Sequence, residues 1–269
     1  MKRKLFLFLF LTSLFCISVF SHDLFLKLDS FFVKPNEKIS IKILNGSFRS
    51  SDGAVNVSRL NDVSLVSPSG AISHPGEENF TQDEKTSYLN LQPKEEGTYV
   101  VGLSTRTREI TLEGKDFTEY LLEDGIPDIS AERERLKISD KKARERYSKH
   151  VKTIFQVGEK TTDSYKIVLG YAAEIIPKIN PYKLKVGDTF KFLCLKDGKP
   201  LANQFVMSGR EFDTNLIAGV NVRTDKKGIA KIKIIGAGKW YVKFIQMSEM
   251  KTENLDYESK WTTLTFEVK

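Results

Sequence analysis

The chain has 269 residues, 40% hydrophobic and 29% charged, with a formal net charge of +7. That length suffices for one large or two ordinary domains. Lys and Arg are dispersed with Asp and Glu between them, and no block interleaves basic with aromatic residues, which describes a mixed solvated surface and argues against nucleic-acid binding.

Met1-Lys2-Arg3-Lys4 is a positive opening, Leu5 to Phe20 is almost wholly apolar, and Val19-Phe20-Ser21 sets small residues at −3 and −1. This layout predicts a cleavable signal peptide over residues 1–21 and a mature chain that starts at His22 in the periplasm or outside a bacterial cell. Losing Lys2, Arg3 and Lys4 takes the formal charge from +7 to +4. Cys16 follows Phe15 rather than a small residue, so it reads as part of the apolar run, with lipid anchoring as the alternative. The run is short for a membrane span of roughly 20 residues, and no second one follows, so no transmembrane segment is expected after cleavage.

From Leu24 to about Thr111 short apolar or alternating runs are separated by turn signals. Ile39-Ser40-Ile41-Lys42-Ile43 alternates with period two, and Lys34-Pro35-Asn36-Glu37 and Ser67-Pro68-Ser69-Gly70 are turns. Strand signals every 8–12 residues or so predict a β-sandwich over 22–114. Residues 115–160 are rich in Glu, Lys and Arg and read as a helical insertion. Ala143, Tyr147, Val151, Ile154 and Phe155 share a helical face and predict an amphipathic helix over about 140–156, preceded by helical pieces near 117–123 and 130–137. Strands return over 161–269, with tight turns at Asp197-Gly198 and Thr224-Asp225-Lys226-Lys227-Gly228. The expected fold is mainly β: two β-sandwich modules, immunoglobulin-like or carboxypeptidase-regulatory-like, with an α-helical insertion between them. Cys194 is the mature chain's one cysteine, and it shares strand parity with Phe190 and Phe192, as a buried free thiol would.

His22-Asp23-Leu24-Phe25-Leu26, Val33-Lys34-Pro35-Asn36-Glu37, Glu174-Ile175-Ile176-Pro177, Asp197-Gly198-Lys199-Pro200-Leu201-Ala202, Gly238-Lys239-Trp240 and the closing Trp261 to Val268 occur in one order. The set resembles the domain-of-unknown-function 4198 family of periplasmic proteins, often described as a nickel/cobalt uptake component. The resemblance implies a metal-associated binding protein that works with a membrane transporter component and carries out no turnover. Gln246 stands where the family is associated with a histidine, so the resemblance carries no histidine ligand over to that position. Lys199 to Phe244 also resembles the carboxypeptidase-regulatory or collagen-adhesin B type of sandwich, which implies architecture and no chemistry.

The mature histidines are His22, His74 and His150. A His22 freed by cleavage offers an α-amine and an imidazole to one metal ion, and Asp23 can add an oxygen. The expected metal residues are therefore His22, Asp23 and His150, and the expected ligand is a divalent nickel, cobalt or copper ion. His74 lies in a turn, and neither His74 nor His150 has a partner at ordinary ligand spacing. A copper oxidase built on His22 would need a second histidine on the same ion. No nucleophile elbow, HExxH, Walker A or dinucleotide motif occurs, so no enzyme is expected. Glu174 reads as a surface or turn carboxylate, and Trp240 and Trp261 as core. The alternative function is a non-catalytic interaction or structural module at the cell surface.

Overall fold

The computed structural model describes residues 22–213, 215–250 and 252–269, so the expected signal peptide with Cys16 lies outside the described residues. Among the described residues the first half carries nine strands: β1 (Asp23–Lys27), β2 (Phe32–Val33), β3 (Ile39–Gly46), β4 (Leu60–Val66), β5 (Ile72–Ser73), β6 (Phe80–Gln82), β7 (Ser87–Leu91), β8 (Gly97–Thr105) and β9 (Arg108–Leu112). Two short helices follow, α1 (Gly114–Glu123) and α2 (Pro127–Arg135), and then the long strand β10 (Ala143–Val157). The second half carries β11 (Ala173–Pro177), β12 (Thr189–Lys196), β13 (Lys199–Pro200), β14 (Phe205–Phe212), β15 (Asn215–Ala218), β16 (Val222–Arg223), β17 (Ile229–Lys233), β18 (Gly238–Glu249) and β19 (Tyr257–Val268).

The fold is mainly β, and its spine is one 11-stranded sheet with the path β15-β14-β18-β19-β10-β8-β4-β5. β10 lies at its middle, antiparallel to β8 and parallel to β19. The sheet β1-β3-β7-β6 covers one face, burying Leu24, Leu26, Ile41 and Ile43 against Tyr99, Val101, Val151 and Phe155. The sheet of β11, β12, β13 and β17 covers the other, burying Ile175, Phe190, Phe192 and Cys194 against Val100, Ile154, Trp240 and Phe266. Successive strand residues face opposite sides, so Val100 and Val101 on β8, or Ile154 and Phe155 on β10, enter different cores. Strands covered on both faces lose their polar alternation, which is why β8 is buried at all nine positions.

The helix expected over 140–156 is a strand. Ala143, Tyr147, Val151 and Phe155 are spaced by four, a multiple of two as well as roughly one helical turn, so they also share one face of a strand. Ile154 breaks the degeneracy by entering the opposite core. The charged residues that suggested a solvated helix face include Glu145, Lys149 and Lys152, all buried with polar partners. Among the described residues α-helix is confined to residues 114–135, where α1 lays Phe117, Tyr120 and Leu121 on Ile245, Tyr257 and Trp261. Tyr120 stacks on Trp261 at 5.8 Å, a contact of about 1 kcal/mol beyond its area.

Other local readings hold. Asp197 and Gly198, at φ 48° and 72°, make the primed turn that twists in the same sense as its flanking strands. Asp225 closes its turn by accepting from the Lys227 and Ile229 N–H groups at 2.8 and 2.9 Å, with Gly228 at φ 74°. Trp240, Trp261 and Cys194 are core residues, and burial raises the Cys194 thiol well above its ordinary pKa. Among the described residues no helix is long and apolar enough to cross a membrane.

Candidate functional site

β1 is the edge of its sheet and also lies across β19. Thr263 Oγ1 donates to Leu24 O at 2.8 Å and Thr265 Oγ1 to Leu26 O at 2.5 Å. These bonds fix the start of the strand, and two buried lysines fix it further. Lys149 Nζ donates to the His22 carbonyl while resting over the Trp261 ring at 5.1 Å. Lys243 Nζ lies between Asp23 and Asp124, 3.0 Å from Asp124 Oδ1, and so joins β18 to β1 and to the end of α1. Burial opposes the Lys243 charge, but Asp23 and Asp124 together outweigh it and hold the ammonium above its usual pKa. Burial raises the Asp124 carboxyl to about 6 against the pull of Lys243, and lowers the Lys149 ammonium to about 8 against that of Asp23.

His22 precedes β1. Asp23 pairs with Gly46, after which the chain turns back through Ser51 so that Asp52 arrives beside His22. Asp52 N donates to Asn45 O at 2.9 Å, and a Cβ on Gly46 would sit 2.7 Å from Asp52 Oδ2. The outcome is an accessible nitrogen–oxygen pair: His22 Nδ1 and Asp52 Oδ2 are 3.3 Å apart, with side chains 40% and 56% exposed.

The expected ligands do not converge. Asp23 is turned to Lys243. His150 follows Lys149 on β10 and therefore projects from the sheet face opposite the one that holds His22. It is buried rather than on a helix surface, with Nδ1 2.9 Å from Ser104 Oγ and Nε2 3.0 Å from Ser148 Oγ, so hydroxyls engage both ring nitrogens. Burial, with Lys260 adding to it, lowers its pKa to about 4 and keeps the ring neutral. On that same face Tyr171 lies over His150, at 5.8 Å between ring centroids, and donates to Asp62 Oδ2 at 2.6 Å. Asp62 Oδ1 is 3.1 Å from His74 Nδ1. His74 and His150 are thus joined through Asp62 and the Tyr171 ring on the sheet face opposite the one that holds His22, which gives a copper brace at His22 no second histidine. Among the described residues no group of three or more His, Cys, Asp or Glu is gathered for a metal. Glu174, read as a surface or turn carboxylate, is buried and accepts from Lys152 Nζ at 2.6 Å and from the amides of Leu169 and Tyr171.

Asp52 carries no distinctive signal in Ser50-Ser51-Asp52-Gly53. Lys243 does: it is a lone charge inside the apolar run Trp240 to Ile245, and such a position demands a buried counter-charge.

The architecture defines a mainly β protein in which one continuous sheet is shared by two smaller covering sheets. The chain belongs to the family described as Domain of unknown function (DUF4198), whose profile matches residues 19–248. No curated protein has a matching sequence. Among solved structures it is similar to the D0-D1 domain of intimin, at 15% identity over 90% of this chain and 96% of that one, with a TM-score of 0.21. It is also similar to trypsin-activated alpha-2-macroglobulin from Escherichia coli, at 10% identity over 92% of this chain and 16% of that one (TM-score 0.26). Murine CEACAM1b matches at 8% identity over 92% of this chain and 99% of that one (TM-score 0.21).

Proposed function

We propose that the chain is an exported, periplasmic or secreted binding protein that captures a divalent transition-metal ion, nickel, cobalt or copper, and passes it to a membrane transporter component without turnover. The observation that carries this reading is the His22 Nδ1–Asp52 Oδ2 pair, 3.3 Å apart on an accessible surface. Two neighbouring ligands, each about 2.1 Å from one ion, stand about 3.0–3.4 Å apart. Cleavage after Ser21 would add the His22 α-amine, which closes a chelate ring with the same Nδ1. The Lys149 bond to the His22 carbonyl holds that residue's backbone in place. Asp52 replaces Asp23 as the oxygen ligand in this reading.

Titration calorimetry on the chain that begins at His22, its terminus checked by mass spectrometry, tests it. Binding of Ni²⁺, Co²⁺ or Cu²⁺ is expected, weakened about tenfold or more in His22→Ala and in Asp52→Ala. Absence of binding to the correctly processed chain would sink the reading.

A second reading, an interaction module at the cell surface, is favoured by β15. This strand ends the long sheet, contains no charge, and is flanked by exposed Phe212 and Val220. A partner retained in the presence of chelator would support it.

A further inference from the structure

The outer face of the β11–β12–β17 sheet gathers lysines that are scattered in sequence. Lys191 on β12 lies directly opposite Lys231 on β17, and Thr189 opposite Lys233. The Lys178 N–H, just beyond β11, donates to Lys191 O, which sets a fourth lysine beside this pair. Lys185 lies on the loop that leads into β12. All five are exposed. The chain's ion pairs among the described residues lie elsewhere. Two carboxylates border the face, and both turn to backbone: Asp188 Oδ2 accepts the Lys185 N–H at 2.9 Å, and Asp225 caps its own turn. Like charges placed directly opposite on paired strands repel one another, so this arrangement is a cost to the isolated fold that an anionic surface would relieve.

The charge ends at an apolar tip. The Gly187 N–H donates to Ile234 O and the Ile234 N–H to Asp188 O, so the 185–188 loop runs beside the end of β17. There Val186 and Ile235 are 53% and 50% exposed. A patch of lysines with aliphatic side chains projecting at one end matches a bilayer interface, where ammonium groups meet lipid phosphates and apolar tips enter the headgroup–acyl boundary. A soluble polyanion would use the lysines and leave Val186 and Ile235 without a role.

We propose that this face docks the protein on an anionic phospholipid bilayer, through Lys178, Lys185, Lys191, Lys231 and Lys233 with Val186 and Ile235 inserted. The proposal is independent of metal binding at His22. It is tested by co-sedimentation of the His22–Lys269 chain, which contains every described strand and helix, with vesicles of phosphatidylglycerol and phosphatidylcholine or of phosphatidylcholine alone. Binding is expected only to the anionic vesicles and should fall as salt is raised. Lys191→Glu/Lys231→Glu/Lys233→Glu should weaken it about tenfold or more, with an unchanged melting temperature as the folding control. Val186→Ser/Ile235→Ser should weaken vesicle binding severalfold while leaving any binding to soluble polyphosphate unaltered. No sedimentation with anionic vesicles at low salt would overturn the proposal. So would binding that a correctly folded triple charge reversal leaves intact, or binding indifferent to the loss of Val186 and Ile235.

Discussion

Lys152 and Glu174 meet at 2.6 Å in the interior, with 4% and 1% of their side chains exposed, and tie the central strand to the sheet that covers it. Burial lowers the Lys152 ammonium below its ordinary pKa, opposed by the adjacent carboxylate. Removing one partner leaves the other desolvated and unpaired. Lys152→Met or Glu174→Leu alone should therefore cost about 3–5 kcal/mol in urea unfolding. The double variant should recover most of that loss, and a double variant as unstable as the sum of the singles would refute this account.

Glu145 titrates in an unusual range. Burial raises its carboxyl to about 7, against hydrogen bonds from Ser259 and Tyr120, and Oε2 has no hydrogen-bond partner. Because the folded state holds the proton more tightly than the unfolded one, this group contributes stability below its unfolded pKa of about 4.3 and loses it as pH rises to about 7. Glu145→Gln pays a constant cost for a buried amide but does not titrate. Thermal unfolding should show the variant gaining about 2–3 kcal/mol on the wild type between pH 4.5 and 7.

His150 acts with the opposite sign. Its folded pKa, lowered to about 4 by burial, means that its contribution is present above the unfolded value of about 6.5 and is lost as pH falls towards 4. His150→Asn should flatten this acid limb by about 3 kcal/mol. The Glu145 and His150 windows overlap and partly cancel in the wild type, so each is measured as the difference between variant and parent at matched pH.

Under the proposed metal-binding reading, Asp23 is a structural carboxylate paired with Lys243 and Asp52 is the ligand. Asp23→Asn should lower the melting temperature by several degrees, by weakening the Lys243 pairing, and change Ni²⁺ affinity less than about twofold. Asp52→Asn, on an exposed turn, should do the reverse. Equal effects of the two substitutions on affinity would return Asp23 to the ligand set.

The strand-rich character, the turns at Asp197-Gly198 and at Asp225, and the burial of Trp240, Trp261 and Cys194 were legible because each rests on local chemistry or on period two. β10 was not, since a spacing of four satisfies helix and strand alike and the polar residues that looked solvated are paired inside. Glu174 was misjudged for the same reason: only the fold brings Lys152 to it. His22 is conspicuous in the sequence because cleavage would free its α-amine beside its imidazole, whereas Asp52 reaches it through the pairing of β1 with β3, a relationship no short motif encodes. The lysine face is likewise a product of register, since alternation along β12 and β17 aligns side chains that the linear sequence keeps apart.

The parallel pairing of β10 with β19 sets a timetable for the molecule. Glu145 pairs with Tyr257 and Thr153 with Thr265, so the middle of the long sheet stays open on one flank until a segment more than a hundred residues downstream arrives. Until then β10 has β8 and β9 on one flank but lacks β19 on the other, and no early fragment can close the sheet. Such wiring slows self-assembly. The middle of the long sheet is therefore complete only when β19, the last of the described strands, has joined β10.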